Sequence, residues 1–158
     1  MVRRDLLAGG AALVAAAVAL ARRPARAAER FPVQHTEAEW RRLLSPAAFE
    51  ILRQAGTERP GSSPLLNEHR RGVFACAACN LHNFRSETKF ESGTGWPSFY
   101  APIAHAVATT TDRSLLMTRT EVHCPRCGGH LGHVFDDGPR PTGLRYCMNG
   151  AALTFQAA

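Results

Sequence analysis

The chain has 158 residues, enough for one domain with a hydrophobic core of its own. Nineteen Lys+Arg against 13 Asp+Glu give a formal charge of +6, but five of the arginines and one acid fall in the first 27 residues, which leaves 14 against 12. A net +2 without a Lys/Arg cluster on the β region argues against an electrostatic nucleic-acid binder.

Residues 1–27 read as a targeting segment. Arg3 and Arg4 precede an Ala-rich apolar run, Leu6–Ala21, and Ala25-Arg26-Ala27 has the small-x-small pattern of a cleavage site. The pattern is that of a twin-arginine export signal, which predicts a bacterial periplasmic location; Arg22, Arg23 and Arg26 beside the cleavage site fit that route. The alternative is an uncleaved membrane anchor, but the run of about 16 residues falls short of the ~20 a spanning helix needs. The mature domain is therefore expected over 28–158.

Residues 28–35 read as a short extended leader. Thr36 and Glu39 form a capping box, followed by Trp40, Leu43 and Leu44 at helical spacing. Ser45-Pro46 opens a second helix carrying Phe49, Ile51 and Leu52, which Gly56 is expected to end. Residues 57–70 form a polar loop rich in Pro, Gly and Ser. From Gly72 onward the texture is of short strands: Val73-Phe74, His105–Thr111, Leu115–Val122, Leu131–Phe135 and Leu153–Phe155. The predicted class is mainly antiparallel β with small N-terminal helices. No Gly-rich nucleotide loop is present.

Five cysteines divide unevenly. Cys76-Ala77-Ala78-Cys79 and Cys124-Pro125-Arg126-Cys127 are two Cys-x-x-Cys pairs with 44 residues between them. Two such turns can supply the four thiolates of a structural zinc site, one ion per chain. Two disulfides in an oxidising compartment, or a redox-active pair, are the competing readings.

Cys147 is left over, flanked by Arg145, Tyr146 and Asn149. A nearby cation and hydrogen-bond donors favour a thiolate; the plain alternative is a buried, inert cysteine. His130 and His133 stand upstream, then Asp136-Asp137. Imidazoles near a thiol can act as base or acid, or as metal ligands; three apart, the two could share one face of a turn, but on a regular strand they would face opposite sides. Ser92-Gly93-Thr94-Gly95-Trp96-Pro97-Ser98-Phe99 is an irregular turn expected to present Trp96 and Phe99, either as core aromatics or as a wall for a small apolar group.

These runs, with Thr88–Ser92, Arg119-Thr120-Glu121-Val122, His130–Pro139 and Pro141–Asn149, closely resemble the B-type methionine sulfoxide reductases, which reduce the R epimer of methionine sulfoxide. The resemblance extends from about Trp40 to Phe155. It implies two antiparallel β-sheets with helices at the N-terminal side. It implies Cys147 as the nucleophile that becomes a sulfenic acid, with Trp96 against the substrate methyl. His130, His133 and Asn149 would organise the pocket and help protonate the sulfoxide oxygen. Asp137 and Arg145 would line the pocket, and Cys76, Cys79, Cys124 and Cys127 would hold zinc. The chemistry agrees with the residues: sulfoxide reduction needs a soft nucleophile for sulfur, an acid for oxygen and an apolar wall for methyl.

The chain departs from that pattern at Thr94, where many members carry a second, resolving cysteine, and at Gly150, where Ser is common. With four cysteines on zinc, the sulfenic acid would depend on a thioredoxin-like or other external dithiol. The implied substrate is oxidised methionine in proteins, and the chain is expected to be a monomer. A zinc-ribbon interaction module would leave Cys147 and both histidines idle. A thiol–disulfide oxidoreductase would need a metal-free Cys-x-x-Cys.

Overall fold

The computed structural model describes residues 30–114 and 117–158, so the expected targeting segment lies outside the described residues, as do Leu115 and Leu116 at the head of one expected strand. Helix α1 (Glu37–Leu43) starts at the predicted box: Thr36 Oγ1 accepts from Glu39 N–H, and the Glu39 carboxylate accepts from Thr36 N–H at 2.7 Å. Helix α2 (Pro46–Gln54) starts at Ser45, whose Oγ accepts from Ala48 N–H at 3.2 Å. It ends one residue earlier than expected, on Ala55 in the left-handed conformation (φ 52°). Trp40, Leu44, Phe49, Ile51 and Leu52 are buried, whereas Leu43 faces solvent.

Among the described residues nine strands form two antiparallel sheets, as the class expectation held. β1 (Gly72–Cys76), β2 (His82–Arg85) and β9 (Leu153–Ala157) make a three-stranded sheet in the order β2-β1-β9. The other has six strands: β3 (Lys89–Phe90), β4 (Ser98–Phe99), β5 (Ala108–Asp112), β6 (Arg119–His123), β7 (His130–Phe135) and β8 (Arg145–Met148), in the order β3-β4-β8-β7-β6-β5. β2, β3, β4 and β8 were not expected; at two to four residues they are too short to show alternation. The strand expected from His105 starts at Ala108 instead, because His105 adopts φ 60° and Ala106 closes a turn onto Ile103.

Register explains the two faces of the larger sheet. Ser98, Cys147, His133, Glu121 and Thr110 are successive cross-strand partners and form one polar row. Residues one position along, Phe99 and Tyr146, point to the other face. There Phe99 stacks on Phe84 at 4.4 Å between ring centroids and meets Phe74 edge-on at 5.0 Å. Phe74 and Phe84 are partners in the smaller sheet, so these aromatics join the two layers. One face of the larger sheet is core; the other carries the polar row.

Candidate active site

The polar row gains a second histidine through a bulge. Glu121 pairs with His133 and Val122 with Gly132, but His123 pairs with His130, skipping Leu131. One extra residue restores the facing of His130 to that of His133. Their rings approach to 5.3 Å, edge to face, so the convergence that a regular strand forbids is achieved.

Each histidine is held by its own carboxylate. His130 Nδ1 lies 2.7 Å from Glu121 Oε1, and His133 Nε2 lies 2.8 Å from Asp112 Oδ2. Asp112 also accepts from Ser114 N–H at 2.8 Å and from Arg119 Nη2 at 2.7 Å. These bonds, the Ser114 amide foremost, hold the Asp112 carboxyl well below the usual carboxylate range. An ionised Asp112 accepts only, so neutral His133 carries its proton on Nε2 and leaves Nδ1 free to take one. Burial pushes the His133 pKa down, against the pull of Asp112. The Glu121 carboxyl is held low chiefly by His130.

Cys147, half-buried on β8, lines a pocket of about 130 Å³ with Thr57, Trp96, Arg119, His133, Phe135 and Asn149. Thr94 Oγ1 stands 3.9 Å from Cys147 Sγ and is linked through Ser92 Oγ, at 2.8 Å, to Ser98 Oγ. Asn149 is buried, with Oδ1 accepting from Glu58 N–H at 3.1 Å and Nδ2 donating to Leu131 O at 3.2 Å. Arg145 and Asp137 form a two-pronged ion pair, both bonds 2.8 Å, and the guanidinium lies 4.4 Å above the Phe135 ring. Neither is among the residues that line the small pocket, but the Arg145 guanidinium lies close enough to interact with Cys147. A larger cleft of about 580 Å³ beside Leu44, Ala48, Ser63 and Gly150 is lined by no cysteine and no histidine.

The expectation for Phe99 is corrected. It is wholly buried on the core face, because it is the strand neighbour of Ser98, which pairs with Cys147 on the polar face. Sequence reasoning assigned no part to Thr57, Glu58, Asp112, Arg119 or Glu121. Arg119 and Glu121 left one signal, polar alternation along a strand; Asp112 left none.

The four remaining cysteines meet at the ends of both sheets. All four Sγ atoms lie within 4.8 Å of one another; Cys76–Cys127 are 3.7 Å apart and Cys79–Cys124 3.4 Å. Both turns are built alike. Asn80 (φ 58°) donates to Cys76 O and Gly128 (φ 68°) donates to Cys124 O, each at 2.8 Å. A zinc tetrahedron with Zn–S near 2.3 Å has edges of about 3.8 Å, and disulfides need about 2.05 Å. The four cysteines fit a metal ion such as zinc.

A SelR-domain family model matches residues 44–157. The chain is 54% identical over 125 residues to a peptide methionine sulfoxide reductase MsrB of Methanosarcina barkeri, covering 78% of this chain and 88% of that one. It is 56% identical over 128 residues to an MsrB of Leifsonia xyli (80% and 92%), and 50% identical over 125 residues to one of Agrobacterium fabrum (78% and 93%).

Proposed function

Since the chain belongs to the SelR-domain (MsrB) family, we propose that it is a thiol-dependent peptide methionine (R)-sulfoxide reductase with Cys147 as its nucleophile. The observation that carries this reading is the pocket in which a thiol, an imidazole and an indole face one another. At about 130 Å³ it is far smaller than the ~300–1,000 Å³ of pockets that engulf whole ligands, so it suits the tip of a side chain.

In the proposed reaction Cys147 Sγ, deprotonated by His133 Nδ1, attacks the sulfoxide sulfur. The oxygen takes up the proton and passes to Cys147, methionine leaves, and Cys147 is oxidised by two electrons to a sulfenic acid. Trp96 packs on the methyl. His130 with Glu121, and Asp112 with Arg119, hold His133 in its tautomer and place. Asn149 braces the bulge, and Asp137 fixes Arg145, whose cation favours the thiolate. An external dithiol then reduces the sulfenic acid, giving its own disulfide, water and the Cys147 thiol.

Cys76, Cys79, Cys124 and Cys127 would hold one structural zinc per chain, which ties the two sheets and takes no part in the reaction. Arg3, Arg4 and the apolar run after them support export, with repair of oxidised periplasmic proteins as the role of a monomer that binds no nucleic acid. N-terminal sequencing from a native host should find a start at Ala28; a start at Met1 in a membrane fraction sinks the export reading. The decisive assay reduces R- and S-methionine sulfoxide with dithiothreitol, comparing the parent with Cys147→Ser. Activity on R alone, lost in the variant, is the expected outcome; full activity in the variant refutes the nucleophile.

A further inference from the structure

The loop after α2 touches both halves of the pocket. The Glu58 carboxylate accepts from Gly150 N–H at 2.6 Å and Ala151 N–H at 2.9 Å. Its own N–H donates to Asn149 Oδ1 at 3.1 Å, and its carbonyl accepts from Trp96 Nε1–H at 3.1 Å. One residue thus grips both the indole wall and Asn149–Ala151, the segment that begins two residues after Cys147, more than 50 positions from Trp96 in the chain.

The loop is fastened at two further points. Gly61 N–H donates to Gly95 O at 2.7 Å, next to Trp96. Gly150 is a close approach: a Cβ there would overlap Cβ and Oγ of Ser63, which is buried and bonded to Leu65 N–H at 3.1 Å. The missing side chain at Gly150 is thus the room into which this loop settles.

We propose that Glu58 is a positioning residue, setting the separation between the Trp96 wall and the Cys147 sulfur, and that the Ser63–Gly150 contact seats the loop that carries it. The inference rests on the reductase reading above. Glu58 does not line the pocket, so it acts through Trp96 and the Asn149–Ala151 segment. Hydrogen bonds to an ionised acceptor are shorter and stronger than neutral ones, which suits a brace. A displacement of 1 Å between reacting groups can slow a reaction about 100-fold.

Glu58→Gln keeps the size of the side chain but turns an amide NH₂ toward a backbone N–H. In the full chain it should lower kcat for methionine (R)-sulfoxide by about 10- to 100-fold while changing KM less. With Trp40→Phe, Trp96 becomes the single tryptophan, and its emission maximum should shift in Glu58→Gln. Gly150→Ser should reproduce the kcat loss by lifting the loop, and adding Ser63→Gly should restore it. Unchanged kcat and unchanged emission in Glu58→Gln overturn the inference, as does absence of rescue in a double variant that melts at the parent temperature. Cys147→Ser runs alongside: inactive with Glu58→Gln normal, it overturns the positioning role alone. Full activity in Cys147→Ser would sink the nucleophile and the positioning role together.

Discussion

Removing metal from the four-cysteine cluster should loosen the domain by an amount that follows from its topology. The closest cross-turn pair, Cys79 and Cys124, are 45 positions apart and their sulfurs 3.4 Å apart, so an ion there closes a long loop. Treated as a cross-link on the unfolded chain, a loop of that length is worth about 4 kcal/mol at 25 °C. For a domain of this size each kcal/mol moves the melting temperature by roughly 3–5 °C, giving a fall of about 12–20 °C. Without a cation the cluster cannot remain four thiolates. A pair of unit charges 3.5 Å apart repels by about 5 kcal/mol even at an effective dielectric of 20, so metal-free sulfurs take up protons. The assay is thermal melting by circular dichroism, with metal content measured, before and after chelation under anaerobic reductant. Purified protein should hold about one zinc per chain. Loaded and stripped protein melting within about 3 °C of each other would refute the cross-link reasoning.

Other outcomes separate the two faces of the larger sheet. Phe99→Ala should cost about 3–5 kcal/mol in urea unfolding while the folded fraction keeps its kcat/KM; Trp96→Ala should do the reverse, and parallel losses in both would refute the assignment of faces. Stability should fall with acid. Folded His133 resists protonation relative to its usual 6.5, and folded Glu121 resists it relative to its usual 4.5, so the unfolded chain binds more protons as pH drops through 6.5 and then 4.5. Urea midpoints at pH 7.5, 5.5 and 4 should decline in that order, and a higher midpoint at 5.5 than at 7.5 contradicts this. Parent enzyme treated with sulfoxide without reductant should form no intramolecular disulfide. Thr94→Cys, which puts a sulfur where a hydroxyl sits 3.9 Å from Cys147, should lose two hydrogens by mass spectrometry.

The sequence made some of this legible and hid the rest for physical reasons. Caps are local, so Thr36–Glu39 and Ser45-Pro46 located both helix starts. The Cys-x-x-Cys turns are local too, and their spacing was enough to foresee four converging sulfurs. Strands of two to four residues are defined by partners instead. Nothing in Arg145–Met148 marks a central strand; its place comes from β7 on one side and β4 on the other. The convergence of His130 and His133 was hidden because a bulge is a property of a pair of strands. Phe99 misled because a turn rich in Gly said that aromatics were presented, but not that a two-residue strand begins at Ser98 and alternates their directions. Glu58 sits in a segment read as polar loop, and its bonds are visible only once residues 96 and 149–151 are folded against it.

The two cysteine turns belong to different layers. Cys76 and Cys79 close the end of β1 in the smaller sheet, and Cys124 and Cys127 join β6 to β7 in the larger. An ion held by all four can reach full coordination only after the layers have met. If the cluster takes up zinc as proposed, metal uptake would be a checkpoint on assembly. The rate at which the refolding chain captures zinc from a chromogenic chelator would then clock the docking of one sheet on the other, separately from the formation of either.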